Sequence, residues 1–495
     1  MKKGVGLLLV MVVYFSINGI GQMTYKPNFK TIDSITYQAF IDEDWNQVLK
    51  VGNEALKHHI DYYYLRMRMG GAAYELGYLP QSARHYEKAL LFNNNDPTAQ
   101  IYLYNVYLML NKKPLAYNLS SDFNSYTSQQ IPNKIKTVES ITAGGGVSLS
   151  NNFTKNDATT FLNESNSFAQ QVLYGDKRIF YAGIPINLSP VLRFYFGFTH
   201  LAIKKRTRNQ YIEYPLKTTS TLYEHWGFQR TFSTEAELME KTFESQVFQN
   251  ELYFNLRLQL KNRWSASLFG SLISVNTSFV VADSTRTYVT DTSYYFYDTG
   301  EVGLMQYDYL ATQFFIRDTS LLDYTLGLHI EKDLLSSTLG FTGITSSING
   351  FKQTQLSLQG FYYIGKGVNF FGTTEGIYFR QKGWGSVESR IILRQAFGAK
   401  LYKLSWLEAE AIWGDLNDAT LYNGLVVYNH VDKMKYRIGL SVIALFGPHL
   451  ELSLRYQYLS LQGDYMQEVD IANDNKTNTF AYEAQNFIGG LKWTF

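Results

Sequence analysis

The 495-residue chain has no cysteine. That excludes a disulfide, a thiolate metal site, a cysteine nucleophile and an N-terminal lipoprotein anchor. Charge of one sign is also lacking. The formal net charge of +2 is too small to point to nucleic acid or to an anionic membrane surface. Long apolar runs are missing beyond the first residues. Lys2 and Lys3 followed by the apolar stretch Val5 to Phe15 and by Gly19-Ile20-Gly21 read as a secretory signal over 1–21, cleaved after Gly21. That stretch is too short for a good spanning helix, and no later segment offers one. Any membrane crossing must therefore be made by β-strands.

Familiar chemistry is absent as well. There is no Gly-rich phosphate loop, no His-Glu-x-x-His helix and no Gly-x-Ser-x-Gly turn. His200, His225 and His430, with Glu224 beside His225, fall in or near expected loops without a recognisable partner spacing. We expect no enzyme, no cofactor and no metal; a hydrolase at the outer rim is the disfavoured alternative. His58, His59 and His85 are expected to be solvated, since adjacent histidines leave a helix on different sides.

What is abundant is aromatic. The 39 Tyr and 33 Phe suit long strands and interfacial girdles of a membrane barrel, although a large soluble β protein also uses Tyr heavily. A mean hydropathy of −0.20 does not oppose a barrel, whose strands alternate apolar and polar residues. The alternation is plain at Leu252, Phe254, Leu256, Leu258 and Leu260, set against Glu251, Tyr253, Asn255, Arg257 and Gln259. It recurs from Leu450 to Tyr458 and again up to the last residue, where Phe487, Gly489, Leu491 and Trp493 share a face.

Short connections occur at 188–190, 261–263, 332–334, 365–367, 402–403 and 447–449. Longer polar segments lie near 152–168, 207–241, 283–320, 416–432 and 464–477, with tight turns at Asn349-Gly350 and Gly383-Trp384-Gly385. Six inner turns and seven outer loops predict about 14 strands, within 12–16. The fold class is therefore α plus membrane β-barrel: a helical domain over 22–121, a polar linker over 122–137 and an antiparallel up-and-down barrel over 138–495.

Facing inward, Arg257, Arg394, Lys400, Glu408, Glu410, Arg437, Glu451 and Arg455 are candidate lumen charges, with Glu388, Arg390 and Lys435 in the same set. The hairpin at Tyr402-Lys403 brings Arg394 and Lys400 near Glu408 and Glu410. Either these charges line an aqueous path or they are structural pairs filling a narrow lumen, and the second is expected for most individual pairs.

The helical segment repeats with a step of 34: Ala55-Leu56 and Ala89-Leu90, and Val48, Ser82 and Ala116. With Gly70, Ala72, Tyr74, Gly77, Ser82, Tyr86, Ala89 and Leu90, the copy from Tyr63 to Asn95 resembles the tetratricopeptide repeat. An unrelated helical bundle gives a similar texture. The resemblance implies a partner-binding groove, with Tyr63, Arg66, Arg68 and Tyr102 as its candidates. Gly490-x-x-Trp493-x-Phe495 resembles the barrel-assembly signal of bacterial outer-membrane proteins, with Ile488 where a polar residue is usual. That implies the barrel-assembly machinery as a partner in biogenesis and the outer membrane's lipid bilayer as the setting, with the helices in the periplasm. Helical repeats ahead of a barrel also resemble, in architecture, outer-membrane exopolysaccharide exporters. The expected function is an outer-membrane barrel whose periplasmic module, residues 30–121, recruits a periplasmic or outer-membrane protein and serves envelope transport or export. An exopolysaccharide channel and a sealed structural anchor are the alternatives.

Overall fold

The computed structural model describes residues 28–131, 136–157, 160–162, 167–213, 215–223, 227–295, 302–383, 386–429, 431–467 and 479–495, with backbone alone for 216–223, 227–234, 284–295, 302–310 and 466–467. The expected signal segment lies outside the described residues.

Three helix pairs come first: α1 (Phe29–Ile41) with α2 (Trp45–Lys57), α3 (Tyr63–Glu75) with α4 (Leu79–Phe92), and α5 (Pro97–Met109) with α6 (Lys113–Ser120). Their starts follow from the sequence. Asn28, Asp44 and Asp96 accept backbone N–H bonds from the first turns of α1, α2 and α5. Proline opens α4, α5 and α6, where its missing N–H costs nothing. Small residues let the pairs close: a Cβ on Gly70 would stand 2.8 Å from the Tyr86 ring, and one on Gly52 would overlap Met69. A seventh helix, α7 (Ser125–Gln130), capped by Asn124, occupies the segment expected to be linker.

The rest is a closed barrel. Its wall consists of β1 (Ser140–Ser150), β2 (Phe168–Asn187), β3 (Leu192–Glu213), β6 (Glu237–Gln259), β7 (Trp264–Tyr295), β8 (Val302–Asp333), β9 (Ser337–Ile348), β10 (Phe351–Tyr363), β11 (Phe370–Gly383), β12 (Ser386–Tyr402), β13 (Ser405–Trp413), β16 (Lys433–Phe446), β17 (Leu450–Gln467) and β18 (Thr479–Thr494). Two small hairpins lie between wall strands: β4 (Leu216–Tyr223) with β5 (Gly227–Thr234), and β14 (Thr420–Leu421) with β15 (Val426–Val427). A one-turn helix, α8 (Asn152–Asn156), follows β1.

The wall has 14 strands, all paired antiparallel, and β1 pairs with β18 along its whole length, from Ser140↔Thr494 to Ser150↔Ala484. Closure leaves neither terminal strand with a bare edge. Six short turns stand at one end and seven connections at the other, as the sequence predicts. Two of the expected loops are largely strand: 207–241 carries the ends of β3 and β6 plus β4–β5, and 283–320 is mostly β7 and β8. These two strands have 32 residues each, roughly 105 Å at strand rise, far beyond an apolar layer of about 30 Å. The wall is therefore tall on one side.

Side chains alternate as expected. Leu252, Leu454, Leu491 and Trp493 are exposed on the outside, while Glu251 and Tyr253 are buried within. Lys435 departs from its expected inward place. A bulge between Met434 and Tyr436 shifts the alternation, so Met434 and Arg437 turn inward and Lys435 is exposed.

Candidate functional site

The lumen is occupied. Residues 414–429, most of them in the segment 416–432 read from sequence as an outer loop, turn back into the barrel between β13 and β16. Leu416, Ala419 and Leu421 are fully buried there against Ile377, Phe379, Ile392 and Ile412 of the wall. The tip, Tyr422-Asn423-Gly424, has positive φ at all three residues, which glycine and asparagine tolerate well. A Cβ on Gly424 would meet the Phe269 ring at 2.5 Å, so the tip can approach this wall only without a side chain. It reaches the far side of the barrel. Tyr253 donates its hydroxyl to the Asn423 carbonyl at 2.8 Å, Ser271 donates to the Gly424 carbonyl at 3.2 Å, and Gln355 bonds both backbone groups of Thr420.

A charged cluster on the wall holds the hairpin through Tyr422. Glu410 on β13 accepts from Arg394 Nε at 2.6 Å, from Arg437 and from the Tyr422 hydroxyl. Arg394 also meets Glu375 at 3.3 Å and lies 4.4 Å from the Tyr422 ring centroid. All these charges are largely buried, and each carboxylate has a partner, as burial demands. Arg394 and Glu410 are thus together. Lys400 stands apart, in register with Trp406 and 5.9 Å from its ring centroid, and Glu408 lies half-buried opposite Gly398. Glu451 pairs with Lys492 at 3.2 Å, and Arg455 donates to Ser441.

The short-turn mouth is covered by the helices. Leu335, in the β8–β9 turn, has φ of 70° and inserts into the helical core among Leu79, Leu103, Tyr107 and Leu110. Ion pairs surround it: Lys112 with Asp333, Lys113 with Glu139, and Arg263 with Glu87 at 3.4 Å. Arg84 donates to Ser336 at 2.8 Å, and Tyr363 donates to the Leu110 carbonyl.

At the helix-covered end of the barrel lies a chamber of about 650 Å³, lined by residues 110–115 and by the wall strands. Arg257 and His329 meet Glu331 on its wall, and Arg193 meets Glu139 at 2.8 Å. Tyr195, Phe361 and Tyr363 add aromatic surface. Among the described residues no group of acidic and histidine side chains has a metal-binding arrangement.

No family model matches this chain, and no curated protein does. Among solved structures it is similar to the Pseudomonas putida toluene transporter TodX, at 8% identity over 73% of this chain and 90% of that one, with a TM-score of 0.38. A Pseudomonas aeruginosa FadL homologue is similar at 11% identity over 81% and 94%, TM-score 0.35. So is a bacterial polysaccharide outer membrane secretin, at 7% identity over 73% and 100%, TM-score 0.32. At these values the likeness says nothing of what this barrel binds or moves.

The groove candidates sit in the helices. Arg66 forks onto Asp61 with two bonds of 2.6 Å, and Arg68 meets Asp33 at 2.7 Å beneath Tyr37. Both guanidiniums are thus engaged within the module. Tyr63 stacks edgewise on exposed Tyr64, and Tyr102, partly exposed, stacks on Tyr86. His85 corrects the expectation of solvation. It is buried, with Nδ1 3.1 Å from Arg66 Nη1. Burial, with Arg66 beside it, lowers its pKa to about 4. His200 stacks on Phe248 and bonds Asn250. Glu224, His225 and His430 lie outside the described residues.

Sequence reasoning missed the hairpin, the Glu375 and Tyr422 contributions, and the Glu139, Glu331 and Asp333 chamber wall. One signal for the hairpin was present. Leu416, Leu421, Leu425, Val426 and Val427 flank Asn423-Gly424, a greasy hairpin pattern in what an outer loop would keep polar.

Proposed function

We propose that the protein is a gated transport barrel of the bacterial outer membrane. Its rest state is closed by hairpin 414–429 and by the helical module. The outward band of Leu, Phe and Trp side chains supports the membrane setting, because water would leave it uncovered. The helices lie at the short-turn end, which by the usual arrangement of such barrels is periplasmic. Their pairing into α1–α2, α3–α4 and α5–α6 supports a repeat module that recruits a protein partner, and the terminal Gly490, Trp493 and Phe495 support handling by the barrel-assembly machinery. No catalysis is assigned.

The observation that carries the reading is a polar chamber of about 650 Å³ inside the barrel, lined by the helical module and the wall, in a lumen that the hairpin also fills. A polar space inside a barrel has a use if something passes through it. The sealed anchor is the second reading, and the buried apolar face of the hairpin favours it.

Single-channel recording in planar bilayers separates the two. The wild type should conduct rarely. Replacing 415–431 with a short Gly-Ser linker should give long openings in a barrel that still shows heat-shifted migration. A folded, hairpin-free barrel that stays silent, in the presence or absence of residues 30–121, would leave only the anchor.

A further inference from the structure

We propose that the chamber is a binding site for a small oxyanion solute of the carboxylate or phosphate class. As a cargo assignment this rests on the gated-barrel reading; as a binding site it stands on the chamber itself.

Six cationic side chains line the space against three carboxylates, Glu139, Glu331 and Asp333. Two further carboxylates, Glu87 and Glu451, neutralise Arg263 and Lys492 from beyond the lining. The count alone is only mildly positive. The layering decides the matter. The side chains of Glu139 and Glu331 are 11% and 19% exposed, while those of Arg193, Lys113 and Arg257 in contact with them are 26%, 32% and 40% exposed; at the third pair Lys112 is 10% and Asp333 15% exposed, so neither stands forward. Glu139 and Glu331 are recessed and their cations stand in front of them.

Hydrogen bonding points the same way. Glu331 accepts from Arg257, from Ser265 at 3.0 Å and from His329 at 3.0 Å. Glu139 accepts from both Lys113 and Arg193, and Asp333 from Lys112 and the Leu335 amide. The acceptors are thus used. The donors are not. A guanidinium carries five N–H groups, and Arg193 donates one of them to Glu139. Among the described residues Arg257 donates only through Nη2, to Ser265 and Glu331. A chamber with spare donors and occupied acceptors recognises an acceptor-rich solute. Its volume suits a molecule of a few to a few tens of heavy atoms.

The test is calorimetric titration of the full-length protein in detergent at fixed ionic strength, with citrate as probe and spermidine as the cationic control. It is repeated on the barrel with 415–431 replaced, so that entry is not limiting. Saturable citrate binding without spermidine binding is expected. Arg257→Gln and Arg193→Gln should each weaken it about tenfold or more, the loss of one charge-assisted contact. Lys50→Gln, on the exposed face of α2, should leave it unchanged. Should Arg257→Gln fail to assemble, Arg193→Gln carries the comparison. No saturable citrate binding in either protein, equal affinity in Arg193→Gln, or equal binding of spermidine overturns the proposal. Citrate binding in a barrel that never conducts removes transport and keeps the site. Conductance without citrate binding does the reverse.

Discussion

The Tyr422 hydroxyl donates to both carboxylate oxygens of Glu410, at 2.6 and 2.7 Å. This contact ties a hairpin residue to the wall strand β13. Glu410 also sits between two guanidiniums, those of Arg394 and Arg437. Glu410→Gln keeps the shape and removes the charge. Two buried cations then lose their shared partner, a change that typically destabilises by about 3–5 kcal/mol. Part of that falls on the hairpin, which supplies Tyr422. The expected outcome is more frequent opening in bilayers and faster protease cleavage within 414–432. Tyr422→Phe, which removes the hydroxyl alone, should have the smaller effect, about 1 kcal/mol. Unchanged conductance and cleavage in both variants would show that this cluster does not hold the hairpin.

Much of the wall is legible in the sequence because a strand with one lipid face and one lumen face must alternate. Leu252 with Glu251, and Leu454 with Arg455, declare their sides without any structure. The hairpin is not legible in that way. Its residues answer to a lumen that exists only after the barrel closes, so Leu421 and Val427 find their apolar neighbours on strands remote in sequence. Lys435 illustrates a different limit. A bulge adds one residue to one strand, and nothing in period-2 alternation announces it. Glu410 lay among the inward charges, yet its importance comes from Tyr422, twelve residues on, through a reversal the spacing does not encode.

The closing seam depends on glycine. Gly144 on β1 faces Gly490 on β18, and Tyr181 of β2 lies over both. A Cβ on Gly144 would stand 2.3 Å from the Tyr181 ring and 2.4 Å from the Gly489 carbonyl. The ring can swing away; the carbonyl belongs to the partner strand. Gly144→Val should therefore impair closure, at a cost above the roughly 1–3 kcal/mol of ordinary overpacking. Heat-modifiable migration on gels reports closure, and the variant should lose most of its folded band. Gly350→Ala serves as control, because space around that turn residue is open even though its φ of 77° carries some strain.

The helical module should weaken in mild acid. His85 is neutral when folded, with its pKa lowered to about 4 from an ordinary 6.5. Between those values the unfolded chain binds a proton that the folded module excludes. Stability is complete above about pH 6.5 and falls as pH drops toward 4, by roughly 1 kcal/mol per pH unit. Thermal unfolding of the helical signal at 222 nm should show this slope in the wild type. His85→Gln should flatten it. An identical slope in both proteins would assign the acid sensitivity to other groups.

The helical cover should come off as a unit when Leu335 is changed. This side chain leaves the barrel turn and is fully buried among residues of α4, α5 and α6. Leu335→Ala removes most of that contact, worth about 2–5 kcal/mol where the site cannot collapse. The flanking pairs Lys112–Asp333 and Arg263–Glu87 then hold a weaker joint. Absence of native cysteine makes the position of the cover measurable. Cysteines placed at Lys88 on α4 and Asn262 in the β6–β7 turn should react together with a short bismaleimide in the closed protein. Leu335→Ala should lower that cross-linking yield severalfold while leaving barrel migration intact. If yield stays high, the ion pairs alone secure the helices, and high salt should then release them where the leucine change does not.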